Sequence, residues 1–113
     1  MAHDLVIKNG TLVDPAQGIH AVMDVAFDDG CVAAVGDEVG NGHTVIDAAG
    51  KIVAPGMIDI HVHVFKGATH LGIEPDPNCV ARGATTVVDA GSAGADIFPG
   101  FRKYVIDVSG TRI

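Results

Sequence analysis

The chain has 113 residues, about one small domain, with 48% hydrophobic residues, fifteen glycines and no tryptophan, a composition that excludes disorder and suits an α/β or β-rich protein with many tight turns. A formal net charge of −7 with only seven Lys and Arg, scattered along the chain, argues against nucleic acid as a partner, because phosphate neutralisation needs clustered cations. No apolar run approaches the ~20 residues of a membrane-spanning helix, and the N-terminus lacks the apolar run of a signal peptide, so the expectation is a cytoplasmic protein with no membrane partner.

In chain order, residues 4–8 form a short apolar run closed by Asn9-Gly10, a strong two-residue hairpin signal. Thr11-Leu12-Val13 follows and stops at Asp14-Pro15, which predicts that these first two strands pair. Residues 22–28, Asp29-Gly30 and Cys31–Val35 predict a second hairpin. Residues 37–43 read as a polar loop, Thr44–Asp47 as a short strand, and Ala48-Ala49-Gly50 as a turn into a last strand at Lys51–Ala54. Six short strands within about fifty residues predict a small β-sandwich or part of one.

The stretch Ala54-Pro55-Gly56-Met57-Ile58-Asp59-Ile60-His61-Val62-His63-Val64-Phe65 changes the character of the chain. In a strand with period two, Met57, Asp59, His61, His63 and Phe65 share one face, and Ile58, Ile60, Val62 and Val64 the other. That split suits an inner strand of a (β/α)8 barrel, with the aliphatic face against helices and the two imidazoles at the C-terminal, active-site end. Histidines at i and i+2 can aim both rings at one ion, with Asp59 one layer deeper as a supporting carboxylate. A bare His-x-His also occurs on ordinary half-buried strands, so the spacing by itself leaves metal ligation and a structural role both open.

Beyond this strand, Lys66 and His70 lie in a loop at the same end, where charged residues either face a substrate or are simply solvated. Glu74-Pro75-Asp76-Pro77 marks a helix start and Gly83 its stop. Thr85–Gly91, β-branched and bounded by glycine, reads as a buried parallel strand. Residues 95–107 carry Phe98, Phe101, Tyr104 and Val105 at helical spacing, with Pro99-Gly100 delaying the regular helix to near Pro99. Ser109–Ile113 has the look of the start of a third strand. Cys31 and Cys79 lack Cys-x-x-Cys spacing and read as free, small core residues.

The string Pro-Gly-Met-Ile-Asp-Ile-His-Val-His resembles the opening motif of the amidohydrolase superfamily of metal-dependent hydrolases. The earlier series Val-Ile-Lys-Asn-Gly-Thr-Leu-Val-Asp-Pro and Ile-Asp-Ala-Ala-Gly-Lys-Ile-Val-Ala-Pro-Gly resembles the N-terminal part of the β-domain that flanks the barrel in dihydroorotases, hydantoinases and related deacetylases. The resemblance implies residues 1–55 as part of a composite β-sandwich and 56–113 as the first two to three strands of a TIM-type barrel, an N-terminal fragment of a longer enzyme. It implies His61 and His63 as metal ligands, one or two divalent ions, zinc foremost, and hydrolysis of an amide or ester bond by metal-activated water. A lysine, two further histidines and a general-base aspartate are then expected on later strands, so no catalytic base is expected among these residues and the chain alone should be inactive.

Dihydroorotases place an arginine where this chain has Phe65, and Met-Pro-Asn where Asp89 is followed by Ala90-Gly91-Ser92. Both departures count against a dihydroorotase, and His-Val-His-Val-Phe together with Val-Val-Asp-Ala-Gly-Ser-Ala-Gly-Ala-Asp resembles the dihydroorotase-like deacetylases, which implies a small N-acyl compound as substrate and a homo-oligomer when full length. Ser92 is expected near that substrate, or else as a turn or capping residue. The alternatives are a cyclic-amide hydrolase of the dihydroorotase or hydantoinase type, and a non-catalytic scaffold or assembly relative of the same fold.

Overall fold

The computed structural model describes residues 2–113. The chain is mixed α/β and rich in strand, and it divides into two compact units, Met1–Pro55 and Gly56–Ile113.

The first unit is one five-stranded sheet. Its centre is β1 (His3–Asp14), flanked on one side by β2 (Ile19–Asp28) and then β3 (Cys31–Gly36), and on the other by β4 (Gly42–Asp47) and β5 (Ile52–Val53). β2 runs antiparallel to β1, whereas β4 and β5 run parallel to it and divide its length between them. Val6, Leu12, Val25, Ala26 and Ala48 are its buried apolar residues.

Asn9-Gly10 does not turn the chain. Both lie within the unbroken β1, where the register with β2 jumps between Ile7 and Gly10. A two-residue type I′ hairpin needs positive φ at both central residues. Here Asn9 has φ 63° while Gly10 is not left-handed, so the pair forms a bulge. The buried Asp24 carboxylate accepts the Asn9 N–H at 3.0 Å, which satisfies the donor that the bulge removes from the ladder. Gly10 is required by packing instead, since a Cβ there would collide with the Val53 side chain. At Asp29-Gly30 both residues are left-handed, φ 51° and 74°, and β2 and β3 form the expected hairpin.

The second unit pairs β6 (Met57–Val62) with β7 (Ala84–Asp89) in parallel. The connection contains α1 (Pro75–Asn78) and a 3-10 turn at Val80–Arg82, ending on left-handed Gly83. The single helix expected between Glu74 and Gly83 is therefore broken at Cys79, whose backbone leaves the helical region and whose side chain is 3% exposed. α2 (Phe98–Tyr104) follows, with a 3-10 turn at Ile106–Val108. Arg112 then forms an isolated parallel bridge with Thr86, with Val87 N–H donating to its carbonyl at 2.7 Å, a single bridge at the place where the start of a third strand is expected. Asp76 fixes this segment. Its carboxylate accepts the Gly110 and Thr111 N–H groups at 3.0 and 2.9 Å and the Thr111 hydroxyl at 2.9 Å.

Val62, Val64, Cys79, Val87 and Phe101 form the core of this unit. Two expectations about its faces fail. Phe65, expected beside the histidines, stacks on Phe101 with ring centroids 4.9 Å apart, because β6 ends at Val62 and its alternation does not extend to residue 65. Ile58 and Ile60, expected beneath helices, are 66% and 77% exposed, since the helical segments pack around Val62, Val64 and Phe101 instead. Cys31, expected in a core, is exposed.

Candidate functional site

The two histidines lie at the C-terminal end of β6, His61 within the strand and His63 one residue past it. The register of β6 against β7 jumps between Asp59 and Val62, where two residues of β6 oppose one of β7. Such a bulge re-aims the side chains around it. The Asp59 carboxylate accepts the His61 N–H at 3.1 Å, so Asp59 supports the backbone of His61 rather than its ring. The two imidazoles meet edge to face with centroids 5.5 Å apart. His61 is exposed and His63 half-buried.

Asp89, the last residue of β7, ties this end together. Its Oδ2 accepts the Val64 N–H at 2.8 Å and its Oδ1 the Ser92 N–H at 2.6 Å, while the Ala90 N–H donates to the Val62 carbonyl at 2.8 Å. Burial pushes the Asp89 carboxyl up, but hydrogen bonds from the Val64, Ser92 and Gly91 N–H groups and the Ser92 hydroxyl outweigh it and hold the group below the usual carboxylate range. Asp89 is therefore a carboxylate fixed in place as an acceptor.

Ser92, expected near a substrate, is 4% exposed, with Oγ 3.2 Å from His63 Nδ1. Lys66 is paired with Glu74 at 2.6 Å on the surface, where such pairs contribute little, and His70 is an exposed loop residue. The structure thus brings His61, His63, Ser92 and Asp89 to one end of the parallel pair. The sequence reading missed the part played by Asp89. Its signal was the run Asp-Ala-Gly-Ser, because an aspartate followed by small residues and glycine commonly folds its side chain back onto the next turn. Among the described residues no three His, Cys, Asp or Glu side chains form a group able to hold a metal ion; the two imidazoles are the donors this end offers, and nitrogen donors of that kind suit zinc and its neighbours.

The sequence model of the Amidohydrolase family matches residues 44–97, a stretch that includes both histidines, Asp89 and Ser92. A deacetylase of Agrobacterium fabrum is 46% identical over 87 residues, which is 75% of this chain and 21% of the deacetylase. A crystal structure of a dihydroorotase superimposes with a TM-score of 0.84 at 37% identity, over 98% of this chain and 30% of that one. An N-acyl-D-glutamate deacylase from Bordetella bronchiseptica, solved with zinc and a phosphonate inhibitor, superimposes with a TM-score of 0.62 at 32% identity, over 77% of this chain and 18% of that one. The chain belongs to the amidohydrolase superfamily of hydrolases, and it corresponds to the N-terminal part of its members. It spans about a fifth of the length of the deacetylase it matches.

Proposed function

We propose that this chain is the opening segment of a metal-dependent amidohydrolase that cleaves the amide bond of a small N-acyl compound, with His61 and His63 holding a divalent ion, zinc foremost. The observation that carries the reading is the meeting of the two imidazoles, 5.5 Å apart, at the C-terminal end of a parallel strand pair, the end at which barrel enzymes of this kind do their chemistry. The bulge at His61 and the Asp89 carboxylate hold that end in shape. When bound, the ion would lower the pKa of a water molecule and polarise the scissile carbonyl. Two imidazoles are half of a four-ligand zinc shell, and the remaining ligands and the general base belong to residues outside these 113. In this reading residues 1–55 contribute a layer of a β-sandwich, residues 56–113 begin the barrel, and the protein is a cytoplasmic homo-oligomer.

A second reading, hydrolysis of a cyclic amide, is favoured by the superposition on the dihydroorotase at a TM-score of 0.84. Against it, Phe65 occupies the position of a substrate-binding arginine in dihydroorotases and is stacked on Phe101, and Ser92 takes the place of their substrate-contacting asparagine while pressed against His63. Ser92, expected near the substrate, lies in this account beside His63 at the same end.

The test uses the protein expressed from its whole reading frame. N-acetyl amino acids and hydantoin are offered to the zinc-loaded enzyme, to enzyme stripped with chelator, and to the variants His61→Ala and His63→Ala. Release of acetate that vanishes on stripping and in both variants supports the deacetylase reading, and ring opening of hydantoin supports the second. Full zinc content in both variants would sink the assignment of the two histidines.

A further inference from the structure

The sequence contains two Asn-Gly pairs, Asn9-Gly10 and Asn41-Gly42. Asparagine before glycine carries a built-in reaction: the backbone nitrogen of the glycine can attack the side-chain carbonyl carbon of the asparagine, with no glycine side chain in the way. In a folded chain the reaction needs a glycine N–H that is not already donating and an asparagine side chain free to fold back onto it. The two pairs differ on both counts.

Asn9-Gly10 is held shut. β1 has strands on both sides, and Gly10 is buried in the ladder opposite Met23 of β2. The Asn9 side-chain amide donates to Asp47 Oδ1 at 3.1 Å and the Asn9 N–H to Asp24 at 3.0 Å, which anchors the residue on two neighbouring strands. Asn41, by contrast, is exposed and lies just ahead of β4, with the left-handed Gly40, φ 94°, before it. Its carbonyl accepts the His3 N–H at 2.8 Å, and His3 stands opposite Gly42 in the parallel register. In a parallel ladder a residue bonds to the two neighbours of the residue it faces, so Gly42 directs its own N–H away from β1. Among the described residues β4 has no strand on that side. Nor can the fold replace Gly42, because a Cβ there would lie 2.7 Å from the Thr44 carbonyl and 2.9 Å from the Val6 side chain. Packing of β4 on β1 thus fixes a glycine directly after an exposed asparagine.

We propose that Asn41 is a site of spontaneous deamidation, with water as co-reactant, and that Asn9 is protected from it. A bond forms between Gly42 N and Asn41 Cγ, the Cγ–Nδ2 bond breaks, and ammonia leaves with the amide proton. Water then opens the succinimide at either carbonyl. Cleavage at Cγ gives aspartate with the backbone unchanged. Cleavage at the main-chain carbonyl gives isoaspartate, in which the chain runs through the side chain and gains an extra methylene. In that product the carbonyl that accepted the His3 N–H has become a free carboxylate, and Gly42 is displaced from its place against Val6. The start of β4 loses register and the start of β1 loses its partner. None of this depends on the reading of the histidines.

The protein expressed from its whole reading frame is aged in warm, mildly alkaline buffer and digested. The peptides carrying Asn9 and Asn41 are followed by mass and by methyl transfer from an isoaspartyl methyltransferase. The Asn41 peptide should gain the mass difference between amide and acid and separate into two forms, the isoaspartyl one in excess. The Asn9 peptide should convert at least roughly tenfold more slowly, because it must wait for the sheet to open. Equal rates at the two positions overturn the proposal, as does an Asn41 peptide that survives in the folded protein while converting in urea. Asn41→Gln, which keeps the amide but must close a larger ring, should lose the methyl acceptance; acceptance unchanged in that variant places the site elsewhere and also overturns it. The structural effect is read by hydrogen exchange. The His3 amide should exchange faster in aged protein and stay protected in Asn41→Asp, which adds the charge without lengthening the backbone. Equal protection of His3 in aged and fresh protein would overturn the loosening of β1.

Discussion

Asp4, Asp14, Asp24, Asp28, Asp47, Asp59, Asp76 and Asp89 each accept at least one backbone N–H. At Asp24 and Asp59 the donor freed by a bulge is the one captured, and at Asp76 and Asp89 the carboxylate joins segments far apart in sequence. Much of the acidic charge that weighs against nucleic acid is thus employed within the fold. Asp76 shows the consequence for pH. Hydrogen bonds from the Gly110 N–H, the Thr111 N–H and the Thr111 hydroxyl hold its carboxyl below the ordinary value. A carboxyl depressed in the folded state contributes stability that is complete above the unfolded pKa of about 3.9 and is lost as pH falls through the lower folded value. The urea midpoint of the second unit should therefore stay level near neutrality and drop below about pH 4. Asp76→Asn should lower the midpoint at pH 7 and make the acid decline shallower. An Asp76→Asn chain whose decline is as steep as that of the unmodified chain would assign the acid sensitivity to other carboxylates.

At the scale of elements, the parallel strand around Thr85–Gly91 and the Asp29-Gly30 hairpin were legible because each depends on local preference alone: β-branched residues bounded by glycine in one case, two residues able to take positive φ in the other. Asn9-Gly10 carries the same local signal, but the neighbours of β1 overrule it. The Ala48 N–H donates to the Lys8 carbonyl and the Thr11 N–H to the Lys51 carbonyl, at 2.8 and 2.9 Å, and these bonds require the strand to continue past the glycine. Neither could be read from residues 9 and 10. The bulge at His61 was hidden for the same reason, since it exists only as a register against β7, and the contact of His63 with Ser92 spans 29 residues. What the sequence announced was the pair of histidines; what it concealed was the apparatus that holds them. The bulge in β1 can be tested directly. Asn9→Val places a β-branched residue at φ 63° and should lower stability by about 1–2 kcal/mol, whereas Asn9→Gly, which adopts that conformation freely, should cost much less. Equal losses in urea denaturation would mean that the Asn9 side-chain bond to Asp47, at 3.1 Å, matters more than the backbone.

Over the whole molecule the described residues contain no helix long and apolar enough to cross a membrane, yet apolar surface is plentiful. Met57, Ile58, Ile60 and Val88 lie exposed along the β6–β7 pair, and among the described residues β6 has no strand on its other side. Exposed β-branched side chains beside an open edge favour association. The 113-residue chain in isolation should therefore sediment as species heavier than a monomer, and Ile58→Lys with Ile60→Lys should shift it toward the monomer. A monodisperse monomer that melts cooperatively would show that this surface is tolerated without a cover, and would count against the reading of the chain as part of a larger barrel.

The two sulfurs offer a means of following each unit separately. Cys31 is exposed in β3 of the first unit, and Cys79 sits at the helix break in the core of the second. Burial, then the charges of Asp59 and Asp76, raise the Cys79 thiol above its usual range, which suppresses the reactive thiolate further. An alkylating reagent should modify Cys31 promptly and Cys79 only when the second unit opens, so the slow phase becomes a clock for local unfolding. In a Cys31→Ser chain, zinc that engages His61 and His63 should slow that clock, turning ligand occupancy at one end of the parallel pair into a rate read from a sulfur atom in its core.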